Sequence, residues 1–192
     1  FGLSWSTEYC YTVTTTNASS LTGPHSASSC ATTLPYILAG LDVAVDATAK
    51  TITVSMRNFW PVGGYQFDVV IDDHFTVTGI EEALLSNVSF SDGEVLAYGL
   101  GDVIMPNPQP GGTTLVVLNY EVNGNDFGGT FGVSIENLTF ADGHPDYYGN
   151  ELNACDMDFD PTNGCEISTT FYYSIDCNSD DFGTAYRDSC DD

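Results

Sequence analysis

Apolar and polar residues alternate with a period of two over much of the chain after residue 36, a pattern that predicts β-strands. Between residues 51 and 56, for example, Ile52, Val54 and Met56 share one face of an extended segment. Residues 115–118 form a nearly continuous apolar run, which is typical of a central strand. Turn-forming Gly, Pro, Asn and Asp residues separate the runs, which are predicted as strands at 39–45, 51–58, 64–71, 75–80, 95–100, 114–122, 129–140 and 168–175.

Strands at this spacing predict an all-β fold, a two-sheet antiparallel β-sandwich of about nine strands. Only residues 80–85 are compatible with a helical turn. Residues 1–35 are predicted to be an N-terminal arm, although an ordinary edge strand of the same sandwich remains the alternative. The predicted organisation is therefore an arm at 1–35, a sandwich at 36–175 and a Cys/Asp-rich element at 176–192.

The six cysteines fall into neighbouring pairs, and there is no Cys-x-x-Cys motif. This usage favours disulfides in an oxidising compartment over a cytosolic redox or zinc site. Pairing in sequence order gives the shortest loops, so the disulfides are predicted as Cys10–Cys30, Cys155–Cys165 and Cys177–Cys190. Since the chain begins at Phe1 and not at Met, we expect a secreted, extracellular protein whose signal peptide has been removed, with a fragment of a longer chain as the alternative. Three Asn-x-Ser/Thr sequons predict N-linked glycans at Asn17, Asn87 and Asn137.

Charge restricts the partners of the chain. With 27 acidic and only 3 basic side chains, the formal net charge is −24. Binding to nucleic acid or to an anionic membrane surface requires clustered Lys and Arg, so neither partner is expected. No apolar run approaches the roughly 18–20 residues that cross a bilayer, so membrane insertion is not expected either.

Four short motifs in the middle of the chain resemble a known family. They are GYQFDV at 64–69, FTVTG at 75–79, VLAYGL at 95–100 and PGGTTL at 110–115. Together they are similar to the cohesin-like, carbohydrate-binding-module-like β-sandwiches of secreted microbial proteins. The resemblance implies a jelly-roll sandwich, extracellular assembly or adhesion, and no catalysis. Residues 176–190 are similar to the DCxGxxxGTAxxDxC elements that follow such sandwiches, but only one such unit is present.

Two acidic loops are predicted to bind calcium. Carboxylates at every second residue of a tight loop can supply the oxygen ligands that Ca²⁺ requires. The first loop departs from an EF-hand at Pro161 and Ile167, so a variant loop closed by Cys155–Cys165 is predicted, with a solvated acidic turn as the alternative. The second loop is dockerin-like in its first positions but has Arg187 where an acid is expected, and a plain disulfide knot is its alternative. The predicted ligands are Asp156, Asp158, Asp160, Asn163 and Glu166 in the first loop, and Asp176, Asn178, Asp180 and Asp188 in the second.

No motif of a hydrolase, metalloprotease or phosphate-binding enzyme occurs, and Asp72-Asp73-His74 is interpreted as a polar hairpin end. Aromatic residues beside turns could instead stack on sugars, with packing in the sandwich as the alternative. The candidate ligand-binding residues are Trp60, Tyr147 and Tyr148.

Two main functions follow from these features. The first is a calcium-stabilised structural subunit of an extracellular filament, coat or appendage that self-assembles through sheet edges and the N-terminal arm. The second is a monomeric module that binds carbohydrate or another extracellular protein. A hydrolase is a third possibility, but the sequence offers no convincing catalytic residue for it.

Overall fold

A computed structural model describes residues 7–33, 38–124, 127–145, 151–152, 154–156, 167–176 and 180–182, with the backbone alone at 154–156. These residues form thirteen β-strands. The strands are β1 Glu8–Tyr11, β2 Ser29–Thr32, β3 Ala39–Asp46, β4 Thr51–Asn58, β5 Val62–Ile71, β6 Phe75–Ala83, β7 Asn87–Ser91, β8 Glu94–Tyr98, β9 Thr113–Val122, β10 Phe127–Asp142, β11 Glu151–Leu152, β12 Ala154–Asp156 and β13 Ile167–Ile175.

Helix is absent from the described residues, and so these residues contain no membrane-spanning helix. Residues 80–85, the only segment compatible with a helical turn, do not form one. Ile80 instead continues β6, which pairs with β9 opposite Leu118. Hydrogen bonding along the sheet outweighs the local helix preference of the Glu, Ala and Leu residues that follow.

The chain divides into two compact units, Phe1–Tyr36 and Ile37–Asp192. In the first unit, β1 and β2 form an antiparallel two-stranded ribbon in which Cys10 lies opposite Cys30. The predicted Cys10–Cys30 disulfide is present and joins the two strands. Beyond the ribbon, an isolated bridge pairs Thr16 with Thr22.

The second unit is the predicted β-sandwich. The first sheet has the strand order β12-β3-β4-β9-β6, and the second has the order β11-β10-β5-β8-β7, with β13 also paired to β10. All of these pairings are antiparallel except that of β12 with β3. The eight strands predicted from alternation are all found, whereas β7, β11 and β12 were not predicted.

The core lies between the inward faces of the two sheets. Ile52, Val54 and Met56 are completely buried, as their alternation predicts. Tyr65 is also buried, and its hydroxyl donates to the carbonyl of Leu115 in the opposite sheet at 2.9 Å. Burial raises the pKa of Tyr65, so this tyrosine remains a neutral donor. An aromatic cluster around Phe75 fills another part of the core, with Tyr120, Phe131, Phe171 and Tyr173 as ring neighbours.

Candidate functional site

The second sheet carries a groove of about 300 Å³ on its outer face, lined by segments of β5, β8 and β10 and by the turn after β8. Gly64 of β5 lies between Ala141 of β10 and Tyr98 of β8 in the strand register. Because Gly64 has no side chain and Ala141 a small one, the sheet is hollow at this row. Leu96, Tyr98 and Leu100 line the groove and are 37%, 47% and 79% exposed.

A β-bulge in β10 shapes one side of the groove. The register with β5 shifts between Glu136 and Thr139, and Asn137 has a left-handed backbone with φ of 51°. Asparagine tolerates this conformation better than most residues. The Asn137 side-chain amide donates to Oδ2 of Asp68 at 2.5 Å, which links the bulge to β5. Thr139, just beyond the bulge, lines the groove.

Three carboxylates lie in a row beside the groove. Asp68 of β5 is the register partner of both Glu136 in β10 and Glu94 in β8. Like charges on directly opposed residues destabilise a sheet. Strands β5, β8 and β10 contain no Lys or Arg that would balance the row. This part of the sheet is therefore suited to a partner that brings positive charge.

The loop that follows the groove is anchored by a buried asparagine. Asn58 is completely buried, and its Nδ2 donates to the carbonyls of Trp60 at 2.8 Å and Met105 at 3.3 Å. Its Oδ1 accepts from the backbone N–H of Asn107 at 3.0 Å. Reciprocal backbone bonds between Ile104 and Val62 fix the loop to the start of β5. The loop that begins near Leu100 is thus held at its far end by a satisfied polar centre.

Most residues of the first predicted calcium loop lie outside the described residues. These are Asp158, Asp160, Asn163 and Glu166, together with Cys165. The backbone of β12 places Cys155 opposite Gly40 and Asp156 opposite Leu41. Calcium binding by this loop stays a prediction.

In the second predicted calcium loop, hydrogen bonds join Asp176, which directly follows β13, to Asp180. Asp176 is buried, and its Oδ1 accepts the backbone N–H of Asp180 at 3.0 Å. The backbone N–H of Asp176 donates in return to the carbonyl of Asp180 at 3.2 Å. The remaining predicted residues, Asn178 and Asp188 with Cys177 and Cys190, lie outside the described residues.

Asp181 links the segment that follows β13 to the sandwich. The Lys50 ammonium lies 2.6 Å from Oδ2 of Asp181, and the Tyr173 hydroxyl donates to Oδ1 at 2.5 Å. The hydrogen bond from Lys50, followed by that from Tyr173, lowers the pKa of Asp181. The neighbouring Tyr120 hydroxyl is buried and has no hydrogen-bond partner among the described residues, and burial raises its pKa to about 12.

The predicted glycosylation and aromatic ligand-binding residues lie in different parts of the structure. Asn17 is exposed in a turn where its Oδ1 accepts from the N–H groups of Ser19 and Leu21. Asn87 donates through Nδ2 to the carbonyl of Tyr98 at 3.3 Å. Trp60 is half-buried, donates from Nε1 to Asp142 at 2.9 Å and stacks on His144. Tyr147 and Tyr148 lie outside the described residues.

Two further clusters of polar side chains can be explained by the local structure without a bound ligand. Asp72 accepts from the backbone N–H of His74 at the end of a hairpin, and this bond, with the contact to the imidazole, lowers the pKa of Asp72. Glu8, Cys10 and Cys30 are close enough to hold an ion, but the two sulfurs are joined in the disulfide and are not thiolate ligands.

Sequence reasoning missed the groove residues, although two of the motifs quoted above contain them. VLAYGL includes Leu96, Tyr98 and Leu100, and GYQFDV includes Gly64. In the sequence, the exposed Leu and Tyr of β8 look like ordinary strand residues. That they line a groove becomes apparent only from the strand register, which places Tyr98 beside Gly64.

The sequence matches no protein-family model and no curated protein sequence. Among solved structures, the chain is similar to the non-cellulosomal cohesin from the hyperthermophilic archaeon Archaeoglobus fulgidus. The identity is 11%, the TM-score is 0.49, and the match covers 70% of this chain and 90% of the cohesin. A similarity at this level transfers no binding residue.

Proposed function

We propose that this chain is an extracellular, non-catalytic module that binds another protein on the outer face of its second sheet. The observation that carries the proposal is the groove over Gly64, because Leu96, Tyr98 and Leu100 are exposed together around a concave surface. Apolar concavities with aromatic walls are typical places for a partner's anchor side chains. The Cys10–Cys30 disulfide supports the extracellular setting.

The surroundings of the groove specify the chemistry of the partner. An apolar side chain of the partner fills the hollow between Ala141 and Tyr98. Lys or Arg residues of the partner face the row of Asp68, Glu94 and Glu136. This arrangement gives an apolar centre with a charged rim, as in many protein interfaces. Because the rim contributes attraction between exposed charges, added salt should weaken binding.

The experiment is a selection of short peptides, displayed on phage, against the full chain. The expected binders combine an aromatic or aliphatic anchor with Lys or Arg. Affinity of the best peptide is then measured for Tyr98→Ala. Losing a central aromatic anchor typically costs about 2 kcal/mol, so the dissociation constant should rise roughly thirtyfold.

The chain offers a matched control in Tyr172. This tyrosine is also exposed, at 61%, and belongs to the same sheet, but it lies on β13 opposite Thr130 and does not line the groove. Tyr172→Ala should leave the affinity within about twofold. Equal losses for the two variants, or selected peptides without basic residues, would count against the proposed site.

A further inference from the structure

The N-terminal unit differs from the rest of the chain in charge. Residues 1–36 contain one acidic residue, Glu8, and no Lys or Arg. The other 26 acidic residues and all three basic residues follow in the second unit. Electrostatic repulsion between two copies is therefore expected to be weakest at the N-terminal unit.

The ribbon of β1 and β2 has no core of its own. None of the described residues 7–33 is buried, and Tyr11, Val13 and Leu21 are 55%, 68% and 68% exposed. A two-stranded ribbon is at best marginally stable in water, whereas three or more strands can stabilise one another. The Cys10–Cys30 disulfide joins the two strands at a directly opposed position.

Among the described residues, neither outer edge of the ribbon pairs with a further strand. The backbone N–H of Thr33 donates to the carbonyl of Thr7, and the N–H of Thr7 donates to Oγ1 of Thr33, so Thr7 and Thr33 are paired through amides that point into the ribbon. Such pairs alternate along an antiparallel ladder. The amide groups of Glu8 and Cys10 in β1, and of Cys30 and Thr32 in β2, therefore point away from the ribbon. They are available to another strand.

The β6 edge of the sandwich is better protected than the ribbon edges. β6 lies at the end of the first sheet, its pairing with β9 is interrupted by two irregularities, and it contains Glu81 and Glu82. Bulges and charges are common means of preventing edge-to-edge association. β1 is continuously paired with β2 without a bulge, and its only charged residue is Glu8.

We infer that the ribbon is a self-association element through which two copies pair, β1 against β1, around a twofold axis at Cys10. In this register Tyr9 of one copy lies opposite Tyr11 of the other, twice by symmetry, and cross-strand aromatic pairs stabilise a sheet. Glu8 lies opposite Thr12, so the two Glu8 carboxylates do not face each other. The product is a four-stranded sheet with a disulfide in each half.

The proposal predicts a salt dependence opposite to that of the groove. Salt screens the repulsion between the acidic second units, so association should tighten as salt is raised from low concentration to about 1 M, where the Debye length is about 3 Å. Sedimentation velocity of the full chain across this series measures the effect. A chain that stays monomeric throughout overturns the inference but leaves the groove proposal intact, because the groove is tested separately with peptides.

Two proline variants distinguish the edges. Glu8→Pro removes an outward N–H from β1, and Thr32→Pro removes one from β2 at the directly opposed position. We expect Glu8→Pro to abolish association, whereas Glu8→Gln and Thr32→Pro retain it. Tyr11→Ser should weaken association by about tenfold, since it removes one ring from each of two aromatic pairs.

Ribbon integrity is checked in every variant by the Cys10–Cys30 disulfide, detected by non-reducing peptide mapping. Association that survives Glu8→Pro, or that is lost equally in Thr32→Pro, refutes pairing through β1. A monomer whose Glu8 and Cys10 amides are protected from hydrogen exchange also refutes it, because the β1 edge would then be covered within one chain.

Discussion

The buried side chain of Asn58 provides the sharpest test of how the loop beside the groove is held. Asn58→Ala removes the donor to the Trp60 and Met105 carbonyls and the acceptor for the Asn107 N–H. Each buried polar group that loses its partner costs about 1–3 kcal/mol. Allowing for the long contact to Met105, we expect a loss of about 3 kcal/mol in the free energy of unfolding. For a domain of this size, that lowers the melting temperature by roughly 6–12 °C.

A second substitution at the same position gives the test a characteristic pH dependence. Asn58→Asp keeps Oδ1 but places a carboxyl group among backbone carbonyls, where burial raises its pKa. A raised pKa in the folded state means that stability is retained below the unfolded value of about 3.9 and is lost as the pH rises through the folded value. The difference from the unsubstituted chain should therefore be small at acidic pH and large at neutral pH.

Thermal and urea unfolding followed by near-ultraviolet circular dichroism measure both effects, because Trp60 lies next to the substituted site. Comparison with the unsubstituted chain at each pH removes the general effect of titrating the other acids. The reasoning fails if Asn58→Ala melts within about 2 °C of the unsubstituted chain. It also fails if the deficit of Asn58→Asp does not depend on pH.

Two further predictions concern the acidic carboxyl-terminal part of the chain. Lys50→Met should reduce stability by at most about 1 kcal/mol, because both partners of the Lys50–Asp181 pair are more than one third exposed. The contribution of a carboxylate with a lowered pKa is present above its unfolded value and lost as the pH falls through the folded one, so the deficit in urea unfolding should vanish in acid. If the first acidic loop binds Ca²⁺, added calcium should raise the melting temperature by mass action, and Asp158→Asn should reduce the rise. A melting temperature that is identical in calcium and in chelator would eliminate that site.

Strands of the sandwich could be predicted from the sequence where the alternation of apolar and polar residues was regular. β4 was predicted with its observed bounds because Ile52, Val54 and Met56 alternate with polar residues over the whole strand. β7 was missed because Asn87–Ser91 offers only Val88 and Phe90, and both are partly buried. β12 was missed because its parallel pairing with β3 joins residues that are far apart in sequence.

The groove could not be predicted because it depends on relations between strands. No property of Gly64, Tyr98 or Ala141 alone indicates a hollow. Their alignment across β10, β5 and β8 creates it. The row of Glu136, Asp68 and Glu94 likewise exists only in the folded register, since the three acids belong to separate motifs. Composition showed that the chain is acidic, whereas the register shows where carboxylates concentrate.

The predicted glycans and the proposed groove constrain each other. Asn87 is the register partner of Tyr98, and Asn137 is bonded to Asp68 beside the groove. A glycan on Asn137 leaves one N–H on Nδ2, so the bond to Asp68 is chemically compatible with modification. The sugar would nevertheless extend from the same face and obstruct an approaching partner. Asn17 lies in the other unit, and its two side-chain hydrogen bonds both use Oδ1, so they do not involve Nδ2, the atom to which a glycan would be attached. Glycosylation of Asn87 or Asn137 is therefore expected to compete with binding at the groove.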